Sequence, residues 1–486
     1  MFLNQAELPV KNVVWPQNHL KHWLGFCLFS LWVVHTSVIA EPVTVKPALP
    51  IPKLTADQLN PHYWLDQTQN PAQLLLAPQA QQHWQQQLRQ ANLIQDPEQL
   101  PLQYSGLTIR AMIEQTSSIP KAPRFFADGR AVSAKDYHAW QQLMALETLP
   151  QTTVAGWGLV TARTDIRRFP TRTPLLSADL DMDLDRLQET AVFVGQWLQV
   201  LHVSRDQQWA FVITDHYRGW LATKDIALTE RTTVLQFLQH TPRLVVTGKT
   251  ASTNFTPEQP QASAVQLDMG VQLPLLPQPE VLVNGQHPAF SHVIQLPTRQ
   301  PNGQLQLMPA LVARHQPVHV GPLPFNAANL LQQAFQLLGE RYGWGHAYQA
   351  RDCSGFIRDI LRTFALNVPR NTSEQAAMPA PQSLDLTQSS EFEKQQWLQQ
   401  LQLGDLVFIP GHVMMVLAVV DEEVWVIHDA HGLTIRATDG TLQSSQLNGV
   451  AITPLSALWL PAPEAKPFVS AITKIQRLRD SAFVAP

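Results

Sequence analysis

The sequence predicts an α+β protein of several domains: a helical N-terminal region, two small β modules, and a C-terminal domain in which helices precede strands. Three observations carry that prediction. Apolar residues recur at three- and four-residue spacing in the C-terminal third, short β-branched and aromatic runs separated by polar turns fill the middle, and stretches rich in glutamine and alanine lie upstream. With 486 residues, 45% of them apolar and 15% charged, the chain has material for more than one core.

The first forty residues read as targeting. Lys11 and Lys21 precede an apolar stretch from Trp23 to Ile39, and Val38-Ile39-Ala40 ends it before Glu41-Pro42, a pattern that signal peptidase recognises. Residues 1–40 are therefore expected to be a cleaved signal; the competing reading is an uncleaved anchor, since the stretch is about as long as a short membrane span. Leu24-Gly25-Phe26-Cys27 is a poor lipidation box because bulky Phe26 stands before the cysteine. Cleavage would remove Cys27 and leave Cys353 without a disulfide partner, in a protein expected in the periplasm or cell envelope. Residues 41–55 alternate proline with small and aliphatic residues and read as an extended linker.

Residues 56–150 carry helical signals, including Ala80 to Leu93 and the capped start Ser133-Ala-Lys-Asp136. The pattern changes near Val154. Ala191 to Val194, Trp197 to Val203, Trp209 to Thr214 and Gly219 to Ala222 read as strands of a first β module over 154–232. A second, over 263–322, has strands at Val281 to Val283, His292 to Leu296 and Leu305 to Ala313, a Pro301-Asn-Gly303 turn, and 251–262 as its connecting loop.

The C-terminal domain spans 326–480. Asn326 caps a helix through Glu340 whose Leu330, Ala334, Leu337 and Leu338 share a face. An aromatic, glycine-rich loop, Arg341 to Gly345, follows. Cys353 then opens a helix with Phe356, Ile357, Ile360, Leu361 and Phe364 inward, and strands follow at Asp405 to Ile409, His412 to Val420 and Val424 to His428.

Charge narrows the function. A net charge of −4 and the lack of a basic stripe interleaved with aromatics exclude phosphate-backbone binding, so no nucleic-acid partner is expected. Outside the N-terminus no apolar run reaches membrane-spanning length, so no further membrane contact is expected.

Cys353 is the candidate nucleophile. At a helix start it faces unpaired backbone N–H groups and the positive end of the dipole, which favour thiolate. A thiolate also needs a base, and His412, opening a strand after Pro410-Gly411, is the leading one. His428 then orients His412, on one condition. A three-residue turn pairing Val420 with Val424 puts both rings on one sheet face; a two-residue turn puts them on opposite faces. A metal pair at His428 and His431 is disfavoured because no further ligands cluster with it, and no cofactor is expected.

Together YGWG, RDCSGF opening an apolar helix, VPRNTSEQA, GDLVFIPGHVMMVLAVV and VWVIHDAHG resemble the NlpC-type cell-wall cysteine peptidases of the papain-like superfamily. Upstream, GLVTARTDIRRFPT and the Trp209 to Trp220 stretch resemble bacterial SH3-like domains, and the helical region resembles that branch's N-terminal stabilising segment. The resemblance implies a papain-like catalytic domain behind two SH3-like barrels, acting as a monomer on peptidoglycan stem peptides or muropeptides. It implies hydrolysis between γ-linked D-glutamate and a diamino acid, usually meso-diaminopimelate, with Cys353 as nucleophile, His412 as base and His428 as orienting residue. Asp352 and Ser354 would hold the free amine of an N-terminal L-alanine, Tyr342 and Trp344 would line the pocket, and Tyr217 would close it. The alternatives are an amidase cutting between muramic acid and L-alanine on the same fold, and a degenerate wall-binding adaptor. His346 stands where the family's loop usually has glycine, the 16-residue separation of His412 and His428 is long for the family, and Leu458 to Pro467 looks inserted.

Overall fold

The computed structural model describes residues 48–437 and 439–480. The expected signal, most of the linker and Cys27 lie outside the described residues. Among those described, no helix is long and apolar enough to cross a membrane.

The described part of the linker is not a free tether. Leu49 and Ile51 pack against one face of the C-terminal core and Leu54 against the other, because aliphatic side chains beside an apolar surface gain more by burial than by solvation. The helical region follows with helices Pro61–Asp66, Pro78–Gln90, Gly106–Thr116 and Ala134–Leu143. Ser133 and Asp136 form the expected capping box at the last of these. Trp64, Trp84 and Leu88 join the core of the C-terminal domain, while Ile109, Ile113 and Tyr137 pack against the first β module.

That module is a seven-stranded sheet, its strands lying in the order 188–192, 164–167, 218–222, 209–213, 197–203, 156–160, 226–229. The second module begins earlier than the sequence suggests. Its strands start at Arg243–Val246 and Thr250–Ser252, so the region read as a connecting loop before 263 opens with a strand. Strands this short carry too few alternations to register as a pattern. Val281–Val283 forms no strand; Val283 makes only an isolated bridge to Gln286, whereas Ser291–Arg299 and Leu305–Ala313 pair over their full length.

The C-terminal domain is α+β. Six antiparallel strands run in the order Gln382–Asp385, Lys474–Arg477, Leu406–Ile409, His412–Val420, Glu423–Arg436, Leu442–Pro454. Asn326 caps the helix Ala327–Phe335 by accepting from the Asn329 amide at 2.8 Å. That helix and the helix Cys353–Arg362 cover one face of the sheet, and the helices Glu391–Leu398 and Phe468–Ala471 cover the other. The last two strands form one long hairpin that the sequence reading ended at His428.

Charges hold the first β module to the C-terminal domain. Arg358 pairs with Asp215 at 2.8 Å, Gln188 Nε2 donates to the Gly345 carbonyl at 2.9 Å, and Arg370 Nε donates to Thr190 Oγ1 at 2.8 Å. His346 belongs to this seam. It is fully buried, edge-on to Phe193, with Nε2 3.2 Å from Asp359, so it is an interdomain strut and not part of a site rim. Gly355 is the residue that admits it, because a Cβ there would lie 2.7 Å from the His346 ring.

Asp359 is the anion that this seam is built around, taking Arg351 at 2.9 Å as well as His346. Removing one partner from a buried network leaves the others uncompensated, typically at a cost of about 3–5 kcal/mol. Asp359→Asn is therefore expected to lower the thermal unfolding midpoint sharply; a change corresponding to less than about 1 kcal/mol would show that Arg351 and His346 are held by other means.

Candidate active site

Asp352 caps the helix that Cys353 opens, accepting from the Gly355 amide at 2.9 Å. Cys353 is nearly buried. Its Sγ lies 3.5 Å from Thr372 Oγ1 and 4.0 Å from the Gly411 carbonyl, and the Val413 amide also donates to it. The thiol thus rests against the peptide groups on either side of His412. Gly411 makes this turn with φ +80°, a conformation that side chains with a Cβ disfavour.

His412 Nε2 and His428 Nδ1 lie 2.8 Å apart, and His428 Nε2 is 2.9 Å from Thr453 Oγ1. The condition set by the turn is met in an unexpected way. The turn has two residues, Asp421 and Glu422, both at positive φ, and Val420 pairs with Glu423. Alone that would put the two rings on opposite faces. A bulge at Leu417 shifts the register, so that Ala418 faces Trp425 but Val416 faces Val426, and His412 and His428 return to one face.

Of the other predicted residues, Tyr342, Asp352 and Ser354 lie beside Cys353, whereas Trp344 and Tyr217 meet partners from the first β module. Tyr342 is buried, edge-on to His431, and within electrostatic reach of Cys353 and Asp352. Trp344 is half-buried beneath the Arg186 guanidinium, 5.0 Å from its ring. Tyr217 donates to Glu189 and lines a cavity of about 650 Å³ with Glu189, Arg168, Asn371 and Glu374, next to Thr372. Asp352 and Ser354 are already committed. Arg370 grips Asp352 with two bonds of 2.9 and 2.7 Å, Gly345 and Gly355 amides and Ser354 Oγ also donate to it, and Ser354 accepts from Arg370 at 2.9 Å. An ammonium arriving at Asp352 would have to displace one of these donors, so Asp352→Asn would damage the frame of the site whatever the substrate and cannot separate peptidase from amidase.

His428 and His431 share no centre. His428 turns to His412 and Thr453, whereas His431, within a second register shift between Ala430 and Gly432, lies 3.1 Å from Asp181. Asp181, Asp183 and His431 do lie close together, but Arg341 and Asn448 already bind Asp183.

Burial decides the protonation states. It pushes the Cys353 thiol up to about 11, with the Asp352 carboxylate adding to the effect, and these outweigh the helix-start amides that were expected to favour thiolate. Burial likewise lowers His412 to about 4 and holds His428 well below the usual imidazole range. Burial also opposes ionisation of Asp352, but Arg370 overcomes it and holds the carboxyl at about 2. The resting pair is therefore neutral thiol and neutral imidazole.

Several residues here were missed by the sequence reading. Arg370 and Thr372 lie in the quoted VPRNTSEQA segment, and Asp429 follows His428, but nothing in the sequence shows that they converge on Cys353. Asp429 is fully buried with both carboxylate oxygens unpaired, and burial followed by the Asp352 and Glu340 charges raises it well above the ordinary range.

Comparison with known proteins agrees with this geometry. Residues 339–451 match the model of the NlpC/P60 family, and residues 174–222 match an SH3 domain of the SH3b1 type. The C-terminal domain is an NlpC/P60 domain. An NlpC/P60 endopeptidase from Photobacterium damselae subsp. piscicida superposes with a TM-score of 0.69 at 14% identity, covering 85% of this chain and 96% of its own, which establishes the shared fold. An NlpC/P60 family protein from Bacillus cereus ATCC 10987 aligns at 18% identity over 66% of this chain and 99% of its own, with a TM-score of 0.44. No curated protein matches the chain. Residues 339–451 thus carry an NlpC/P60 cysteine-peptidase domain, preceded by an SH3-type domain.

Two measurements probe these protonation states. Alkylation of Cys353 by iodoacetamide should be slow at neutral pH and accelerate toward alkaline pH; a rate that already plateaus at pH 7 would mean a resting thiolate. Asp429 has a raised pKa in the folded protein, so between the unfolded and folded values the native state binds the extra proton and stability falls as pH rises. Asp429→Asn should therefore match wild type near pH 4 and gain in relative melting temperature as pH rises, and a difference that is the same at every pH would contradict the buried neutral acid.

Proposed function

We propose that this NlpC/P60 peptidase cleaves the bond between γ-D-glutamate and a diamino acid, usually meso-diaminopimelate, in peptidoglycan stem peptides with a free N-terminal L-alanine. The observation that supports the reading is that the Cys353 thiol rests against the peptide groups on either side of His412, whose ring in turn meets His428. The free amine is assigned to the cavity beside Tyr217 and Glu189, which offers a carboxylate near Thr372. Export to the periplasm or cell envelope is part of the same proposal, since that is where this substrate lies.

The chemistry begins from the neutral pair. The thiol proton passes to His412 Nδ1 as sulfur attacks the γ-glutamyl carbonyl, so charge develops only as the S–C bond forms. Gly355 and Phe356 amides are taken by Asp352, which leaves those of Cys353 and Ser354 at the helix start for the oxyanion. His412 returns its proton to the departing amine as the C–N bond breaks. Water then attacks the thioester, giving up a proton through His412 and releasing the γ-glutamyl carboxylate and the thiol.

The test is mass spectrometry of L-Ala-γ-D-Glu-diaminopimelate and of purified muropeptides after incubation with wild type and Cys353→Ala. Wild type alone should split the free tripeptide at the γ-glutamyl bond. Release of the intact stem peptide from muramic acid would instead identify the amidase, and turnover by neither protein of any of these substrates would point to the adaptor.

A further inference from the structure

A buried hydroxyl ends the histidine line. Thr453 lies in the strand Leu442–Pro454, is almost completely buried, and has Oγ1 2.9 Å from His428 Nε2. Two proton arrangements satisfy the three atoms in line. In one, His412 Nε2–H donates to His428 Nδ1, and His428 Nε2–H donates to Thr453 Oγ1. In the other, Thr453 O–H donates to His428 Nε2, His428 Nδ1–H donates to His412 Nε2, and the proton of His412 must then sit on Nδ1.

Only the first arrangement leaves a lone pair at His412 Nδ1, the nitrogen that His428 does not engage and that the proposed reaction uses to take up the thiol proton. A neutral imidazole carries one proton, so the partner of one nitrogen determines the state of the other, and here that choice is transmitted across two rings. Both rings are held neutral by burial, which makes the tautomer, and not the charge, the variable that matters. His428 has no fixed acid behind it to settle the question. Asp429, next in sequence, points to the other face of the sheet by strand alternation and shares no hydrogen bond with His428.

We propose that Thr453 is a positioning residue for catalysis: by accepting the Nε2 proton of His428 it fixes the tautomers of both imidazoles and keeps His412 Nδ1 free to receive the thiol proton. This rests on the catalytic reading of Cys353, His412 and His428. The hydroxyl takes the place that a carboxylate or amide acceptor fills in other relays. When His412 is protonated at Nδ1, its Nε2–H still donates to His428 Nδ1 and His428 Nε2–H still donates to Thr453 Oγ1, so the line carries the imidazolium without requiring a second buried charge.

Thr453→Val keeps the side-chain shape and removes the acceptor, and Thr453→Ser restores it. For the valine variant, kcat on the free tripeptide should fall about tenfold or more, up to the roughly hundredfold or greater loss expected if the general base were removed outright, with KM little changed. The serine variant should recover most of it. Alkylation of Cys353 across pH supplies a second readout, because loss of a competent His412 should slow labelling below pH 9 in the valine variant while leaving the fully alkaline rate unchanged. Circular dichroism and melting temperature establish that the valine variant is folded. Equal kcat, KM and alkylation profiles in folded wild type and Thr453→Val would overturn the proposal, as would a loss in the valine variant that serine fails to restore. If Cys353→Ala retains activity, it is the catalytic reading itself that fails, and the two outcomes are distinguishable.

Discussion

Side chains alternate along a strand with a period of two, and the line of the active site depends on one interruption of that alternation. Without the bulge at Leu417, the two-residue turn at Asp421 and Glu422 would send His412 and His428 to opposite faces of the sheet. The bulge costs a ladder pairing in a central strand. What it gains is a 2.8 Å contact between two imidazoles sixteen residues apart. The residues on the near side of the bulge, Met415 and Val413, then keep their place against the Cys353 helix, so the same register serves the core and the site.

The second constraint is electrostatic. Placing a cysteine at a helix start is often enough to ionise it, but here the same start is capped by Asp352, and the pocket is closed enough for desolvation to dominate. At rest the proton therefore sits on sulfur. Such a resting state places the demand on geometry, because a neutral imidazole accepts the proton only if the lone pair faces the thiol. Arg370 supports the arrangement by neutralising Asp352, with Thr190 of the first β module holding its Nε.

The sequence made the local elements legible and concealed the long-range ones. The strand His412–Val420 and the caps at Ser133 and Asn326 follow from patterns within a few residues, and the structure reproduces them. The first β module is similar, with four recognisable strands. What was not legible depends on partners distant in the chain. The Leu417 bulge leaves no signature in Met-Val-Leu-Ala-Val, Thr453 is one threonine among many, and the saturation of Asp352 depends on an arginine 18 residues away. The hairpin was cut short at His428 because its continuation, Gly432 to Asn448, is polar on its outer face and reads as loop. The onset of the second β module was displaced for the opposite reason, since strands of three and four residues offer too little pattern to detect.

The join between the β module and the catalytic domain explains why the cavity beside Tyr217 has a definite shape. A domain tethered by a flexible linker would leave the distance between Tyr217 and Thr372 variable, and a cavity wall that moves discriminates poorly between ligands of different size. Here Arg358 reaches Asp215, two residues before Tyr217, while Arg370 reaches Thr190, the neighbour of Glu189. Tyr217 and Glu189, two of the residues that line the cavity from the β module, are thus pinned by arginines of the catalytic domain within a residue or two. A buried ion pair such as Arg358–Asp215 adds little net stability relative to apolar packing, since desolvation offsets most of its attraction. The directional geometry of these contacts is the more informative property. Two guanidinium groups in defined positions, together with the Gln188–Gly345 bond, restrain the translation and rotation of the module, so the cavity wall moves only if these contacts break.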